Sequence, residues 1–266
     1  MPTPLTIVMP IFDGVTQLDF TGPYQFFFRT PDVTVIVASM DGRTITANGL
    51  TYAELADLRA IERCDVLCVP GGNCVPAMED NDFLDELRRL AATAGYLTSV
   101  CTGSLILGAA GLIVGKHAAC HWAWRDMLSL FGAIPDAGRV VRDGNVITGG
   151  GVTAGIDFAL TVIAELRGDE VAQSIQLGLE YAPVPPFDAG RPELAPPAVL
   201  AATKDRMAPT LSANRPRVER IAAQVRDHLG EGPVTSIGAR RAVSGLPIPH
   251  PRVTDNQNLS MTPMES

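Results

Sequence analysis

The chain has 266 residues, 46% hydrophobic and 19% charged, enough to bury a sizeable core in one large domain or two small ones. A net charge of −8 argues against a general binder of phosphate backbones, so no nucleic-acid partner is expected. The five cysteines, Cys64, Cys68, Cys74, Cys101 and Cys120, are odd in number and form no C-x-x-C pair, which leaves zinc ribbons and thioredoxin-type motifs unsupported.

Leu5–Met9 reads as a short buried strand ended by Pro10. "FDGVTQLDFTGP" follows as a loop with an Asp13-Gly14 turn. Thr21-Gly22-Pro23 then opens an aromatic-rich helix through Phe28, since proline suits a first turn. Val33–Ser39 is a β-branched run and is predicted as a strand, with a weaker one, Arg43–Ala47, after the Asp41-Gly42 turn. Asp65–Val69 is another buried strand, ending in Pro70-Gly71-Gly72. In "NDFLDELRRLAATA" the residues Phe83, Leu84, Leu87 and Leu90 share one helical face, which Asn81 or Asp82 can cap. Tyr96–Val100 reads as a strand and Thr102–Ala110 as a helix. Residues 117–120 fit a short strand and Trp122–Phe131 a helix. Arg139–Arg142 and Asn145–Thr148 alternate around Asp143-Gly144, a hairpin signal. Ala154–Glu165 and Asp169–Tyr181 read as two helices.

This alternation predicts an α/β sandwich with a mostly parallel sheet and no internal repeat. After Tyr181, "APVPPFDAGRPELAPP" is proline-rich and extended, suited to lie along a surface. Residues 1–203 hold 12 basic and 23 acidic side chains, net −11, whereas residues 204–266 hold 9 and 6, net +3. The expected organisation is therefore a body over 1–203 and an extension over 204–266. Within the extension Arg217–Leu229 fits one helix, and the run beyond it to Ser266, with few large apolar residues and many breakers, is expected to be disordered. No apolar run is long enough to span a membrane, and the N-terminus lacks an export signal, so with free thiols a cytoplasmic protein is expected.

Chemistry concentrates at "YLTSVCTGSLILGAAGLI", where a strand stops at Cys101 and a small-residue helix begins at once. Ser99-Val100-Cys101-Thr102-Gly103 is a small-x-nucleophile-x-small pattern, the elbow that projects a reactive atom above a sheet edge. The helix start, with its free N–H groups and dipole, is expected to favour thiolate and lower the cysteine pKa. The plain alternative is a buried structural cysteine. In "VPGG", Gly71 and Gly72 are expected to turn amides toward substrate, holding an oxyanion or imidate nitrogen together with the Thr102 amide; the alternative is a simple turn. In "TQLDFTGP", Asp19 sits between apolar neighbours. Beside a thiolate and buried, it is expected to keep its proton and serve as a donor, or else merely to cap a helix. His121 suggests a Cys–His pair or a boundary residue, and Trp122 and Trp124 suggest packing. "ITGGGVTAGIDFAL" lacks the lysine of a phosphate loop, so Gly150 is expected to bring backbone close to the pocket.

Taken together, "QLDFTGP", "VPGG", "TSVCTGSLILGAAGLI", "HWAW", "VVRDGNVITGGGVTAGIDFAL" and "LEYAPVPPFDAG" resemble the ThiJ/PfpI superfamily, of class I glutamine amidotransferase-like fold. Within it the similarity is closer still to the isocyanide hydratases. The resemblance covers about residues 5–203. It implies a homodimer of flavodoxin-like, three-layer α/β subunits without a metal or organic cofactor. It further implies catalytic roles for Cys101, Thr102 and Asp19. The implied reaction adds water to a small isocyanide: Cys101 attacks the carbon once nitrogen is protonated by Asp19, and water releases an N-substituted formamide from the thioimidate. Thr102 would orient Asp19 or the water. Protease-like relatives often carry His after the cysteine and Glu in place of Asp19, and this chain has neither. Other cysteine chemistry, amidase or glyoxalase-like, remains an alternative, as does a sensor that reports oxidation of Cys101. Relatives with appended helix-turn-helix domains exist, but the extension here offers at most one good helix.

Overall fold

The computed structural model describes residues 3–231 of the chain. Strands β1 (Leu5–Pro10) and β2 (Val33–Ser39) pair in parallel along their length. A small antiparallel ribbon, β3 (Ile45–Ala47) and β4 (Leu50–Tyr52), leads to the short edge strand β5 (Ala56–Asp57). The chain then crosses back to β6 (Val66–Val69) and β7 (Tyr96–Val100). A second ribbon pairs β8 (His117–Ala119) with β9 (Ile134–Asp136), and β10 (Val140–Asp143) and β11 (Val146–Gly149) form the expected antiparallel hairpin. The main sheet has seven strands in the order β10-β11-β7-β6-β1-β2-β5, and only the β10–β11 pairing is antiparallel. Residues of β6 are buried on both faces, as a parallel strand covered by helices requires.

The first helix, α1 (Gln17–Phe27), begins four residues before the expected Thr21. Pro23 therefore lies in its second turn, where it removes the hydrogen bond to the Asp19 carbonyl. A short helix, α2 (Cys74–Glu79), follows the double glycine and was not foreseen. In α3 (Asn81–Ala91) the cap is Asp80, which accepts the Phe83 N–H at 3.1 Å, rather than Asn81 or Asp82. Its Phe83, Leu84, Leu87 and Leu90 are buried as expected, each worth about 1.5–3 kcal/mol of apolar transfer. Next come α4 (Gly103–Ala109), α5 (Ala154–Arg167) and α6 (Asp169–Gly178). Between α4 and α5, the stretch expected as a helix over Trp122–Phe131 is a 3₁₀ segment over Arg125–Phe131. Helices α1, α5 and α6 pack together on one face of the sheet, and α2, α3 and α4 on the other, giving the three-layer architecture.

The last helix, α7 (Pro197–Glu231), runs across residue 203, where the division is expected. Val218, Ile221 and Ala222 are buried where α7 packs on α2, α4 and the 3₁₀ segment. Arg217 adds an ion pair to Glu79 and Arg215 one to Asp126. The compact body thus extends through α7. The expectation for the chain beyond α7 lies outside the described residues. No helix among the described residues is long and apolar enough to cross a membrane.

Candidate active site

The sheet order places β1 beside β6, and their onward connections run in opposite directions. Such a reversal opens a crevice at the strands' C-terminal ends. Asp19 arrives there from the segment after β1, Gly71 and Gly72 from the loop after β6, and Cys101 and Thr102 from the turn after β7.

Cys101 has a φ of +59°, rare for a residue with a side chain. Holding it there costs about 1–3 kcal/mol, which the surrounding packing sustains. Its own N–H donates to the Gly149 carbonyl at 3.1 Å. The turn also needs small neighbours: a Cβ on Gly103 would collide with the Val69 carbonyl, and one on Gly71 would lie 2.5 Å from the Thr102 nitrogen. Cys101 thus occupies a tight, strained turn between β7 and α4 and is 5% exposed.

Asp19 sits in the first turn of α1 and is fully buried. It does not cap the helix; its Oδ2 accepts the Gly71 N–H at 3.0 Å. Oδ1 is buried and has no hydrogen-bond partner among the described residues. Burial raises the Asp19 pKa from its ordinary 3.8 to about 7, held from rising further by the Gly71 amide and the Cys101 thiol. The thiol is raised well above its ordinary value, first by burial and then by the Asp19 charge. The expected lowering by the α4 start is thus overturned: one short helix terminus does not offset the loss of water around sulfur. Carboxyl and thiol lie close enough to perturb one another, so they titrate as a pair.

The amides of Gly71, Gly72 and Gly150 are each engaged within the protein. Gly71 N–H is engaged by Asp19, and Gly72 N–H donates to Oγ1 of Thr102 at 2.9 Å. Oγ1 of Thr102 in turn donates to the Gly72 carbonyl at 3.0 Å. The Gly150 N–H donates to the Arg139 carbonyl at 2.9 Å. All three amides thus have partners within the protein, and two of them hold the catalytic candidates in place. The Thr102 hydroxyl likewise clamps Gly72 rather than Asp19. Sequence reasoning missed these holding roles because they join residues about 30–50 positions apart.

His121 follows β8, and its Nδ1 accepts the Ala123 N–H at 3.3 Å. Burial lowers its pKa, so it stands neutral beside Trp122, with ring centroids 5.7 Å apart. The remaining cysteines are buried, with Cys68 pushed up to about 12 and Cys64 and Cys74 up to about 11. Among the described residues no cluster of three or more His, Cys, Asp or Glu is placed to hold a metal ion. A cavity of about 740 Å³ lies between α7 and the α2–α4 layer, well apart from the thiol, and is lined by neither Cys101 nor Asp19.

Comparison with known proteins gives this geometry a context. The chain is 52% identical to the isonitrile hydratase of Pseudomonas putida, over 83% of this chain and 98% of that one. A ThiJ/PfpI family protein from Pseudomonas syringae superposes with a TM-score of 0.79 at 39% identity, over 83% of this chain and 91% of the other. Drosophila melanogaster DJ-1beta shares the fold at a TM-score of 0.61 and 24% identity, over 69% of this chain and all of its own. The model of the DJ-1/PfpI family matches residues 5–165, the stretch that carries Cys101, the double glycine and Asp19. On these grounds the chain belongs to the DJ-1/PfpI family.

Proposed function

We propose that the chain is an isocyanide hydratase, converting R–N≡C and water to the formamide R–NH–CHO. The observation that carries this reading is the buried Asp19 carboxyl coupled to the Cys101 thiol, its pKa near neutrality, in a chain so similar to an isonitrile hydratase.

The terminal isocyanide carbon bears a lone pair and takes up both a sulfur nucleophile and a proton. Asp19 removes the thiol proton as Sγ bonds to that carbon, then delivers the proton to the same carbon. The S–H bond breaks, and C–S and C–H bonds form, giving the thioimidate Cys101–S–CH=N–R. Carbon, rather than nitrogen, receives this first proton, because the formyl hydrogen of the product must come from it. Water then adds across C=N, oxygen to carbon and one proton to nitrogen. Collapse breaks the C–S bond and forms the carbonyl, and the hydroxyl proton returns through Asp19 to the thiol. A carboxyl titrating near 7 is matched to taking and returning a proton at neutral pH. Thr102 acts by holding Gly72, and Gly71 by holding Asp19.

The sensor alternative is less well supported, since a thiol 5% exposed and raised in pKa is slow to oxidise. The free cysteines suit a reducing, cytoplasmic setting. Two copies are inferred to pair, with the proline-rich segment after α6 contributing its exposed Val184 and Phe187. The reading is tested by incubating the chain with a simple aryl isocyanide and identifying the formamide by mass. Absence of that product defeats it.

A further inference from the structure

Strand β8 stands outside the main sheet and pairs only with β9 among the described residues. Its last residue, Ala119, is nevertheless gripped at both backbone groups. Oγ of Ser104 donates to the Ala119 carbonyl at 2.5 Å, and the Ala119 N–H donates to Oγ1 of Thr148 at 2.7 Å. Ser104 and Thr148 are fully buried, as is Ser99, whose Oγ lies 2.9 Å from that of Ser104. A carbonyl only accepts, so the single Ser104 proton goes to Ala119 and Ser99 must donate to Ser104. The hydrogen bonds therefore run one way, from the end of β7, through the first turn of α4, to the end of β8. Ser99 and Ser104 bracket Cys101 along the chain.

Ala119 leads directly into Cys120 and His121. The Cys120 carbonyl lies beside Gly150 and the His121 ring beside Gly151, the two residues after the Gly149 that receives the Cys101 N–H. Cys120 is also near enough to affect ionisation of Cys101. The end of β8 thus forms a wall next to the thiol, and β8 has no place in the main sheet to fix it.

We propose that Ser104 is a positioning residue: by holding the Ala119 carbonyl it sets the Cys120–His121 wall against Cys101 and keeps the site closed. It touches no substrate, and its kinetic consequence rests on the hydratase reading.

Three variants separate positioning from plain stability. Ser104→Ala removes the bond to Ala119. Ser99→Ala strips the other hydroxyl of the same buried pair but leaves that bond intact. Ser104→Cys keeps the size with a weaker donor. Each is assayed for kcat/KM on an aryl isocyanide and for the rate at which iodoacetamide alkylates Cys101, read on its peptide by mass. The second measurement needs no turnover. Ser104→Ala is expected to alkylate about tenfold faster and to lose about tenfold in kcat/KM, as a displaced site wall would produce. Ser104→Cys should fall between, and Ser99→Ala should stay within about twofold of the unaltered chain. Equal alkylation rates for the Ser104 and Ser99 variants overturn the proposal, since a purely structural pair would respond alike to loss of either hydroxyl. Should Ser104→Ala not fold, Ser104→Cys against Ser99→Ala carries the same comparison. Failure of the unaltered chain to hydrate isocyanide defeats the hydratase reading alone, and the alkylation rates still decide the role of Ser104.

Discussion

The Gly71 amide donates to Oδ2 of Asp19 at 3.0 Å, while Oδ1 of the same carboxyl is buried without a partner among the described residues. One oxygen is thus anchored and the other is free of hydrogen-bond partners among the described residues, as the proposed proton transfer requires. Asp19→Asn keeps the shape but cannot shuttle a proton, so turnover should fall by about a hundredfold or more. Asp19→Glu keeps the acid one methylene out of place and should retain part of the rate. Full activity in Asp19→Asn would refute the assignment.

The pH dependence follows from the same pair. Below about 7 both carboxyl and thiol hold protons, and no base is present to accept the thiol proton. Above it the pair holds one proton, the form that the mechanism uses. The value of kcat/KM should therefore rise with pH through an apparent value near 7 and then level off, because the thiol ionises only well above its ordinary value. A fall across that range would rule out the carboxylate as the first acceptor.

Stability should move the other way. Asp19 binds its proton more tightly in the folded chain than in the unfolded one, where its pKa is near 3.8. Its favourable contribution is complete below that value and is lost as pH rises through about 7. Asp19→Asn never ionises, so relative to the unaltered chain it should gain stability between pH 4 and pH 8, by up to about 4 kcal/mol. Thermal denaturation at several pH values reads this directly. A difference that does not change with pH would show that the buried carboxyl is not strained by ionisation.

Cys101→Ala should abolish hydration and leave the fold intact, since the backbone of the turn, with its Cys101 N–H bond to the Gly149 carbonyl, does not depend on the sulfur. Cys64→Ala should keep turnover and lose a little stability, because its thiol is fully buried and rests against the Leu90 carbonyl rather than against Asp19 or Cys101. Formamide production and circular dichroism on each variant separate the two outcomes. Substantial turnover by Cys101→Ala would end the covalent mechanism.

What the sequence disclosed divides by range. The Val33–Ser39 and Tyr96–Val100 strands were legible to the residue, because β-branched and apolar runs bounded by turns are local signals. The tight turn at Cys101 was legible for the same reason, as a small-x-Cys-x-small pattern within five residues. The start of α1 was not: Thr16 precedes it without a side-chain capping bond, and Pro23 pointed to a later first turn. The raised Cys101 pKa and the engaged amides of Gly71, Gly72 and Gly150 depend on burial and on partners far along the chain. No local pattern carries that information. In α7, Pro209 and Pro216 disguised one continuous helix; both are exposed, so each removes a backbone bond without disturbing the packed face.

That packed face gives the last expectation. Ile221 is 6% exposed, and with Val218 and Ala222 it seats the second half of α7 on the body. Ile221→Ala should destabilise the chain by about 2–5 kcal/mol through lost burial and the space left behind. Arg217→Ala removes only the ion pair to Glu79, whose two side chains are each more than a third exposed. Solvent screening there limits the loss to about 1 kcal/mol or less. Ending the chain after Lys204 removes the whole seat and bares apolar surface on α2 and α4, so it should unfold at lower denaturant than either point variant. Urea titration of the three ranks them. If truncation after Lys204 leaves stability unchanged, α7 adds nothing to the body, and the boundary belongs at residue 203 after all.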